Sequence, residues 1–251
     1  MKFLKRPVLA LGLVLAGWLL QGGTAAAYTC WSPHCYGIVR WQEQPEYFGA
    51  YTDITLGRIT CSGCDGFVTN EVWLVQRPSA ECPQQCWVEA GYTTDGGHNG
   101  PYFFWDEVPP GGQYVQHNLG PADPVGSVDH FMIVKDGRVS PATFLVFIYN
   151  DTFSTLYGGL SATRTATAMV ADHIDMGQEL FGSRGITTSA TAFTRNIRAV
   201  VPLGPEYVFW YWPQTTAGFV MQDMPPFAWW DTLPPVPFGS PEGGRFMTWT
   251  P

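Results

Sequence analysis

Short apolar runs separated by glycine and proline recur along the whole chain. Each run is rich in β-branched and aromatic residues, a composition typical of strands, and turn-forming pairs such as Asp136-Gly137 stand between them. Runs of this kind predict strands at residues 37–41, 51–60, 67–76, 87–93, 102–106, 130–135, 143–149, 178–181, 189–199 and 206–212. The chain is therefore expected to consist of many strands joined by turns.

Residues 163–173 carry a mixed pattern. Positions 166, 169, 170, 173 and 174 fall at the spacing of one helix face. The threonines at positions 163, 165 and 167 favour a strand instead, because β-branched side chains are stiff in a helix. We favour the strand.

The number of short strands and the scarcity of helical patterns define the expected fold class. We predict an all-β chain, folded as an antiparallel two-sheet β-sandwich that is jelly-roll-like and held by disulfides. In such a sandwich one face of each sheet forms the core, and another face can line a groove.

Residues 1–27 have the pattern of a secretory signal peptide. A basic start precedes the apolar run at residues 7–20, and three alanines follow at residues 25–27. The run is shorter than the roughly 20 residues that span a bilayer, so we expect cleavage and secretion rather than a membrane anchor. The rest divides into disulfide-bearing strands (28–65), the sandwich (66–222) and a Pro/Trp/Gly-rich tail (223–251) that packs on the domain or trails from it.

The charge of the chain argues against a nucleic-acid partner. The sequence holds 13 Lys and Arg residues against 21 Asp and Glu residues. Loss of the leader removes Lys2, Lys5 and Arg6 and makes the mature chain more acidic still. A surface of this kind repels phosphate backbones, and the sequence has no basic stripe.

The cysteines follow the leader and are even in number: Cys30, Cys35, Cys61, Cys64, Cys82 and Cys86. In an exported chain this predicts disulfides. The spacing of the last four also resembles a four-thiolate zinc site, which an oxidising compartment disfavours. We expect a local Cys30–Cys35 bridge, the 61/64 pair bonded across to the 82/86 pair, and no metal or cofactor.

The predicted strand at residues 87–93 holds the first candidate for chemistry. Alternation puts positions 88, 90 and 92 on one face and Trp87, Glu89 and Gly91 on the other. Glu89 is then a lone charge beside an aromatic ring, although a solvent-facing glutamate is the commoner case. The sequence has no G-x-S-x-G elbow and no H-E-x-x-H helix, and the histidines, expected at the surface or in loops, lack ligand spacing. Carboxylates remain as the candidate catalytic groups.

Three segments resemble the neprosin-type glutamic peptidases, to which the chain is similar as a distant relative over roughly residues 66–200. The first is WVEAGY at residues 87–92, followed by a glycine-rich stretch and YFFWD at residues 102–106. The second is MGQEL at residues 176–180, and the third is SATAFTRN at residues 189–196. The fungal eqolisins share a related β-sandwich and a carboxylate mechanism.

The resemblance implies a function and a site. Its two catalytic glutamates fall on Glu89 and Glu179, and the groove residues are expected to be Trp105, Tyr92, Gln178, Gln113 and His117, although a core role for Tyr92 is equally open. Two close glutamates cannot both ionise cheaply, so one keeps its proton. The ionised glutamate then takes a proton from an attacking water. The protonated glutamate donates a hydrogen bond to the carbonyl oxygen and later gives its proton to the leaving amine. The implied protein is a secreted, monomeric, acid-active endopeptidase with a polypeptide substrate.

Other functions stay open at this point. Asp106 and Glu107 are a rival carboxylate pair, but neighbours on a strand point to opposite faces. A non-catalytic module could stack sugars on the aromatic residues at 207–212 and on Trp229-Trp230, and glycoside hydrolysis also needs two carboxylates.

Overall fold

The computed structural model describes residues 34–42, 45–61, 63–95, 97, 100–138, 141–150, 163–165, 167–182, 186–188, 191–203, 206–211, 219–224, 231–232 and 246–249. Its strands are β1 (His34–Trp41), β2 (Gly49–Thr55), β3 (Ile59–Cys61), β4 (Phe67–Gln76), β5 (Cys86–Asp95), β6 (Tyr102–Val108), β7 (Val115–Pro121), β8 (Val128–Asp136), β9 (Thr143–Asn150), β10 (Thr163–Arg164), β11 (His173–Phe181), β12 (Ile186–Thr188), β13 (Thr191–Leu203), β14 (Glu206–Tyr211), β15 (Phe219–Met224), β16 (Asp231–Thr232) and β17 (Phe246–Trp249).

The strands form two large antiparallel sheets. The first has seven strands in the order β15-β1-β11-β4-β5-β6-β7. The second has eight strands, in the order β10-β9-β8-β2-β13-β17-β16, with β14 also paired to β13. A small two-stranded sheet joins β3 and β12. The predicted all-β, antiparallel two-sheet sandwich is confirmed.

The core lies where the inner faces of the two sheets meet. Strands β4 and β5 of the first sheet pack against β2 and β8 of the second. The rings of Phe103 and Phe131 meet across this interface, with centroids 6.0 Å apart. Both rings are fully buried, and burial of each contributes about 1.5–3 kcal/mol relative to exposure. Alternate residues of the first sheet therefore face away from the core and are free to form a site.

Most predicted strands are present, and the differences have physical causes. The strand predicted at residues 51–60 is split between β2 and β3, because the intervening backbone bonds elsewhere: Leu56 N donates to Ser127 O and Gly57 N to the Tyr92 hydroxyl. The exposed edge strand β7 was not predicted, because it lacks apolar alternation. The ambiguous segment is neither helix nor one long strand in its described residues, which hold β10, an isolated bridge at Ala171 and, at His173, the start of β11.

The N-terminal strands and part of the tail belong to the sheets. β1 pairs with β11 and β15, and β2 lies between β8 and β13. β17, from the predicted tail, pairs with β13. The predicted leader at 1–27 and Trp229-Trp230 lie outside the described residues. The described part of the chain contains no apolar helix of membrane-spanning length.

The disulfides are confirmed, but the predicted cross-pairing is wrong. Cys61 bonds to Cys64 and Cys82 to Cys86, with Cα atoms 5.2 Å and 5.6 Å apart. Both bridges close short local loops, and sulfurs in disulfides are not the thiolates that zinc requires. Cys35 is disulfide-bonded as well, and Cys30 lies outside the described residues.

Proteolytic mapping tests this pairing. Cleavage after Glu71 and Glu81 under denaturing, non-reducing conditions separates Cys61 and Cys64 from Cys82 and Cys86. We expect mass spectrometry to find each pair as an internal bridge within its own peptide. Two peptides, one from each region, joined by a disulfide would contradict the pairing.

A second prediction concerns the close approach of β4 and β5. A Cβ atom on Gly91 would lie 2.2 Å from Asn70 O and 2.6 Å from Glu71 Cβ. Because a backbone oxygen cannot move aside without loss of the ladder, Gly91→Ala should lower the free energy of unfolding by about 3 kcal/mol or more. Chemical denaturation measures the change. Gly97→Ala is the control, since its Cβ would meet only Asp95 Oδ1 at 3.4 Å; an equal loss in both variants would contradict the steric cause.

Candidate active site

A groove of about 660 Å³ lies on the outer face of the first sheet. Its lining comes from β1, β4, β5, β6, β7 and β11, together with Gln85 before β5 and Tyr114 before β7. Glu89 and Glu179 both line it, so the structure brings the two predicted glutamates to one groove. The groove also receives Asp106, which the sequence offered only as one member of a rival carboxylate pair.

The antiparallel register decides how the acidic side chains are arranged. Glu179 on β11 lies opposite Thr69 on β4, whereas Glu89 on β5 lies opposite Trp73 on β4. Glu71 stands between these two positions along β4. Since strands lie about 4.8 Å apart and a two-residue step covers about 6.7 Å, Glu179, Glu71 and Glu89 form a diagonal across the sheet.

Two hydrogen-bond donors contact the Glu179 side chain. His34 Nδ1 contacts its Oε1, and Tyr36, its direct neighbour on β1, hydrogen-bonds to it. The hydrogen bond to Glu179 raises the pKa of His34 above its usual value, against the opposing effect of burial. Burial and the charge of Glu179 raise the pKa of Tyr36, so the phenol keeps its proton and donates. Donors of this kind favour the ionised form of a carboxyl group.

The surroundings of Glu89 favour its protonated form. Glu89 is 6% exposed. Burial raises the pKa of its carboxyl group well above the usual value, and the charges of Asp106 and Glu179 raise it further. A hydrogen bond from Trp73 opposes this effect but does not reverse it. Glu89 therefore holds a proton at pH values at which an ordinary glutamate has lost it.

Asp106 is the direct neighbour of Glu89. The two residues are paired across β5 and β6. The Tyr114 hydroxyl donates to Asp106 Oδ2, and His117 N donates to Asp106 Oδ1 at 3.0 Å. Burial raises the pKa of Asp106 to about 6, although both donors act to lower it.

Glu71 is a buried acidic residue that the sequence analysis missed. It is fully buried between Gly91 and Gly177 on the neighbouring strands. The Thr69 hydroxyl donates to its Oε1, and its Oε2 has no hydrogen-bond partner in the described part of the chain. Burial, then the charges of Glu89 and Glu179, raise its pKa well above the usual value. Alternation along residues 67–76 places Glu71 on the same face as Trp73, so the strand pattern contained this signal.

The far end of the groove is apolar on one side and charged on the other. Ile38, Trp73 and Val75 form a small hydrophobic cluster. Beside it, Arg40 makes two hydrogen bonds to Asp175, at 2.7 Å and 2.6 Å. The ion pair compensates the charge of Asp175.

Three of the predicted groove residues face the core instead. Trp105 and Tyr92 are 2% and 1% exposed and belong to the main hydrophobic cluster. Gln178 is fully buried, and its Nε2 donates to Asn70 Oδ1 at 3.1 Å. The prediction that they line the groove is wrong, because strand alternation puts each on the face opposite to Glu89 or Glu179.

The predictions for Gln113 and His117 are also wrong. Gln113 is exposed in the loop before β7 and does not line the groove. The His117 ring stacks on Trp105 at a centroid distance of 3.7 Å, on the side away from the groove. Only the backbone of His117 reaches the site, through its N–H to Asp106.

Two other histidines, His130 and His173, were wrongly expected at the surface or in loops, because both are buried. His34 is partly exposed and lines the groove. His130 Nδ1 lies 2.5 Å from Asp53 Oδ1, in the second sheet. Sequence spacing missed His34 because its partner, Glu179, is 145 positions away along the chain.

Fold and groove together define a class of protein: a disulfide-bearing β-sandwich with a carboxyl-lined groove on one sheet. In the described part of the chain, no group of His, Cys, Asp and Glu residues has the arrangement needed to hold a metal ion. No family model matches the chain, and a search of characterised proteins finds no match to it.

The contact between His34 and Glu179 predicts a pH-dependent stabilisation. The folded pKa of His34 is raised above 6.5, so the stabilisation is present below that value and is lost as pH rises through the folded pKa. His34→Gln should lower the free energy of unfolding at about pH 5.5 by no more than about 1 kcal/mol, because the pair is partly exposed, and leave it unchanged at about pH 9. Urea denaturation at both pH values measures this. Equal losses at both would contradict the ion pair.

Proposed function

We propose that this groove hydrolyses peptide bonds, with Glu179 as the ionised general base and Glu89 as the protonated general acid. The observation that carries the proposal is the unequal environment of two glutamates on one groove. Glu179 has hydrogen-bond donors from His34 and Tyr36. Glu89 is buried, and burial together with Asp106 raises its pKa. Two carboxyl groups held in opposite protonation states are what acid–base hydrolysis needs.

The reaction follows from these two states. Glu179 takes a proton from a water molecule as the water oxygen attacks the peptide carbonyl carbon. Glu89 donates a hydrogen bond to the carbonyl oxygen, which gains negative charge in the tetrahedral intermediate. Glu89 then gives its proton to the amide nitrogen as the C–N bond breaks. Release of the proton from Glu179 to solvent and uptake of a proton by Glu89 restore the starting state, and the net change is addition of one water to the peptide bond.

The proposed substrate is a polypeptide and the proposed location is outside the cell. Extended chains suit a groove that runs along a sheet, with the apolar cluster at Ile38, Trp73 and Val75 as a place for apolar side chains. Disulfides persist in oxidising compartments, which supports secretion. The resemblance of WVEAGY and MGQEL to the neprosin-type peptidases supports the same activity.

Sugar binding is the second candidate function. Tyr36, Trp73, Trp87 and Phe104 line the same groove, and aromatic rings can stack on sugar faces. Hydrolysis of glycosidic bonds would use the same two carboxyl groups. These candidates predict binding or turnover of polysaccharides without cleavage of proteins.

Incubation with a denatured protein substrate tests the peptidase proposal. The protein from which residues 1–27 are absent should cleave the substrate at acid pH, and Glu89→Gln and Glu179→Gln should each reduce the rate at least about 100-fold. Gel electrophoresis and mass spectrometry of the products follow the reaction.

Glu81→Gln is the matched control, because Glu81 is an exposed glutamate away from the groove. This variant should cleave at the wild-type rate. If the wild type cleaves no protein but binds or degrades a polysaccharide, the peptidase proposal fails and the second candidate replaces it.

A further inference from the structure

The carboxyl group nearest to Glu89 by strand register belongs to Asp106, not to Glu179. Asp106 and Glu89 are directly paired on β6 and β5, where opposed side chains on one face stand about 4.5–5.5 Å apart at Cβ. Glu179 lies two strands away from Glu89, beyond β4. The side chains of Glu89 and Asp106 also hydrogen-bond to each other. A bond between two carboxyl groups requires that one of them carry a proton.

Two hydrogen-bond donors next to Asp106 act to favour its charged form, against the effect of burial. Tyr114 donates its hydroxyl proton to Oδ2, and the backbone N–H of His117 donates to Oδ1. Both donors come from the chain on one side, the loop before β7 and β7 itself. With two donors on Asp106, the shared proton of the pair is left to Glu89.

Further titratable groups also face Asp106. Glu179 on β11 raises the pKa of Asp106, and Asp106 in turn raises that of Glu71 on β4. The phenols of Tyr114 and Tyr102 keep their protons, since burial raises both pKa values. Glu107, the next residue on β6, points to the opposite face and accepts hydrogen bonds from Thr167 N and Oγ1.

We propose that Asp106 is a positioning residue that holds the acid proton on Glu89 and thereby extends the activity of the groove toward neutral pH. The inference rests on the proposed peptidase function and adds a third residue to it. Once Asp106 is ionised, its negative charge and its accepting oxygen both oppose loss of the Glu89 proton. Tyr114 supports this arrangement by stabilising the Asp106 carboxylate.

The direct test is the titration of Glu89 itself. In protein labelled with ¹³C-glutamate, the Glu89 side-chain carboxyl signal can be assigned by its loss in Glu89→Gln. Asp106→Asn keeps the shape of the side chain but removes its charge. We expect the Glu89 titration midpoint to fall by about 1 to 2 pH units in this variant. An unchanged midpoint overturns the inference, whether or not the protein is an active peptidase.

The pH dependence of kcat/KM gives the functional readout. Glu89 must be protonated for catalysis, so the alkaline limb of the profile reports loss of its proton. Asp106→Asn should move that limb to lower pH by the same amount and leave the acid limb in place. A profile that superimposes on that of the wild type overturns the role of Asp106 while leaving the peptidase proposal intact.

Tyr114→Phe separates positioning from damage to the groove. Loss of the Tyr114 hydroxyl destabilises the ionised form of Asp106, so the Glu89 midpoint should fall by less than in Asp106→Asn or stay in place. A rise of the Glu89 midpoint in Tyr114→Phe, or a fall as large as that in Asp106→Asn, would overturn the inference. Circular dichroism and thermal unfolding check that each variant is folded. An inert wild type would sink the proposed function, but the Glu89 titration would still decide the inference.

Discussion

The site depends on the cost of placing several carboxyl groups on one face of one sheet. Glu71, Glu89, Asp106 and Glu179 interact electrostatically and are largely removed from water. Buried carboxyl groups that interact in this way cannot all ionise at low cost. The fold must either keep protons on some of them or supply hydrogen-bond donors to the others. His34, Tyr36 and Tyr114 are such donors.

Antiparallel pairing makes this arrangement possible. Because side chains alternate between faces, the apolar residues of β4, β5, β6 and β11 build the core while their acidic neighbours share the groove. Gly91 and Gly177 flank Glu71 on the adjacent strands, where any Cβ atom would collide with backbone oxygens of the neighbouring strand. The packed core behind the sheet holds these positions fixed, which is what unequal protonation of neighbouring carboxyl groups requires.

Much of the fold was predictable because the interior strands carry strong local patterns. The predicted bounds of β4 match those of the structure, and the alternation along β5 assigned Glu89 to the correct face. The edge strand β7 escaped prediction because both its faces are largely in solvent, so selection for apolar alternation is absent there. The cross-pairing predicted for the cysteines was wrong, because spacing along the chain does not give the distances between cysteines in the folded protein.

The sequence by itself determined the class of fold, the presence of disulfides and the choice of Glu89 and Glu179 as candidate catalytic residues. Each of these follows from local composition or from a short motif, which the chain carries regardless of its partners. Only the tertiary structure decided that Asp106 pairs with Glu89, that Glu71 lies between Glu89 and Glu179, and that Trp105 belongs to the core. These facts depend on strand register and on which face each strand presents, and both are set by contacts between segments far apart in the chain.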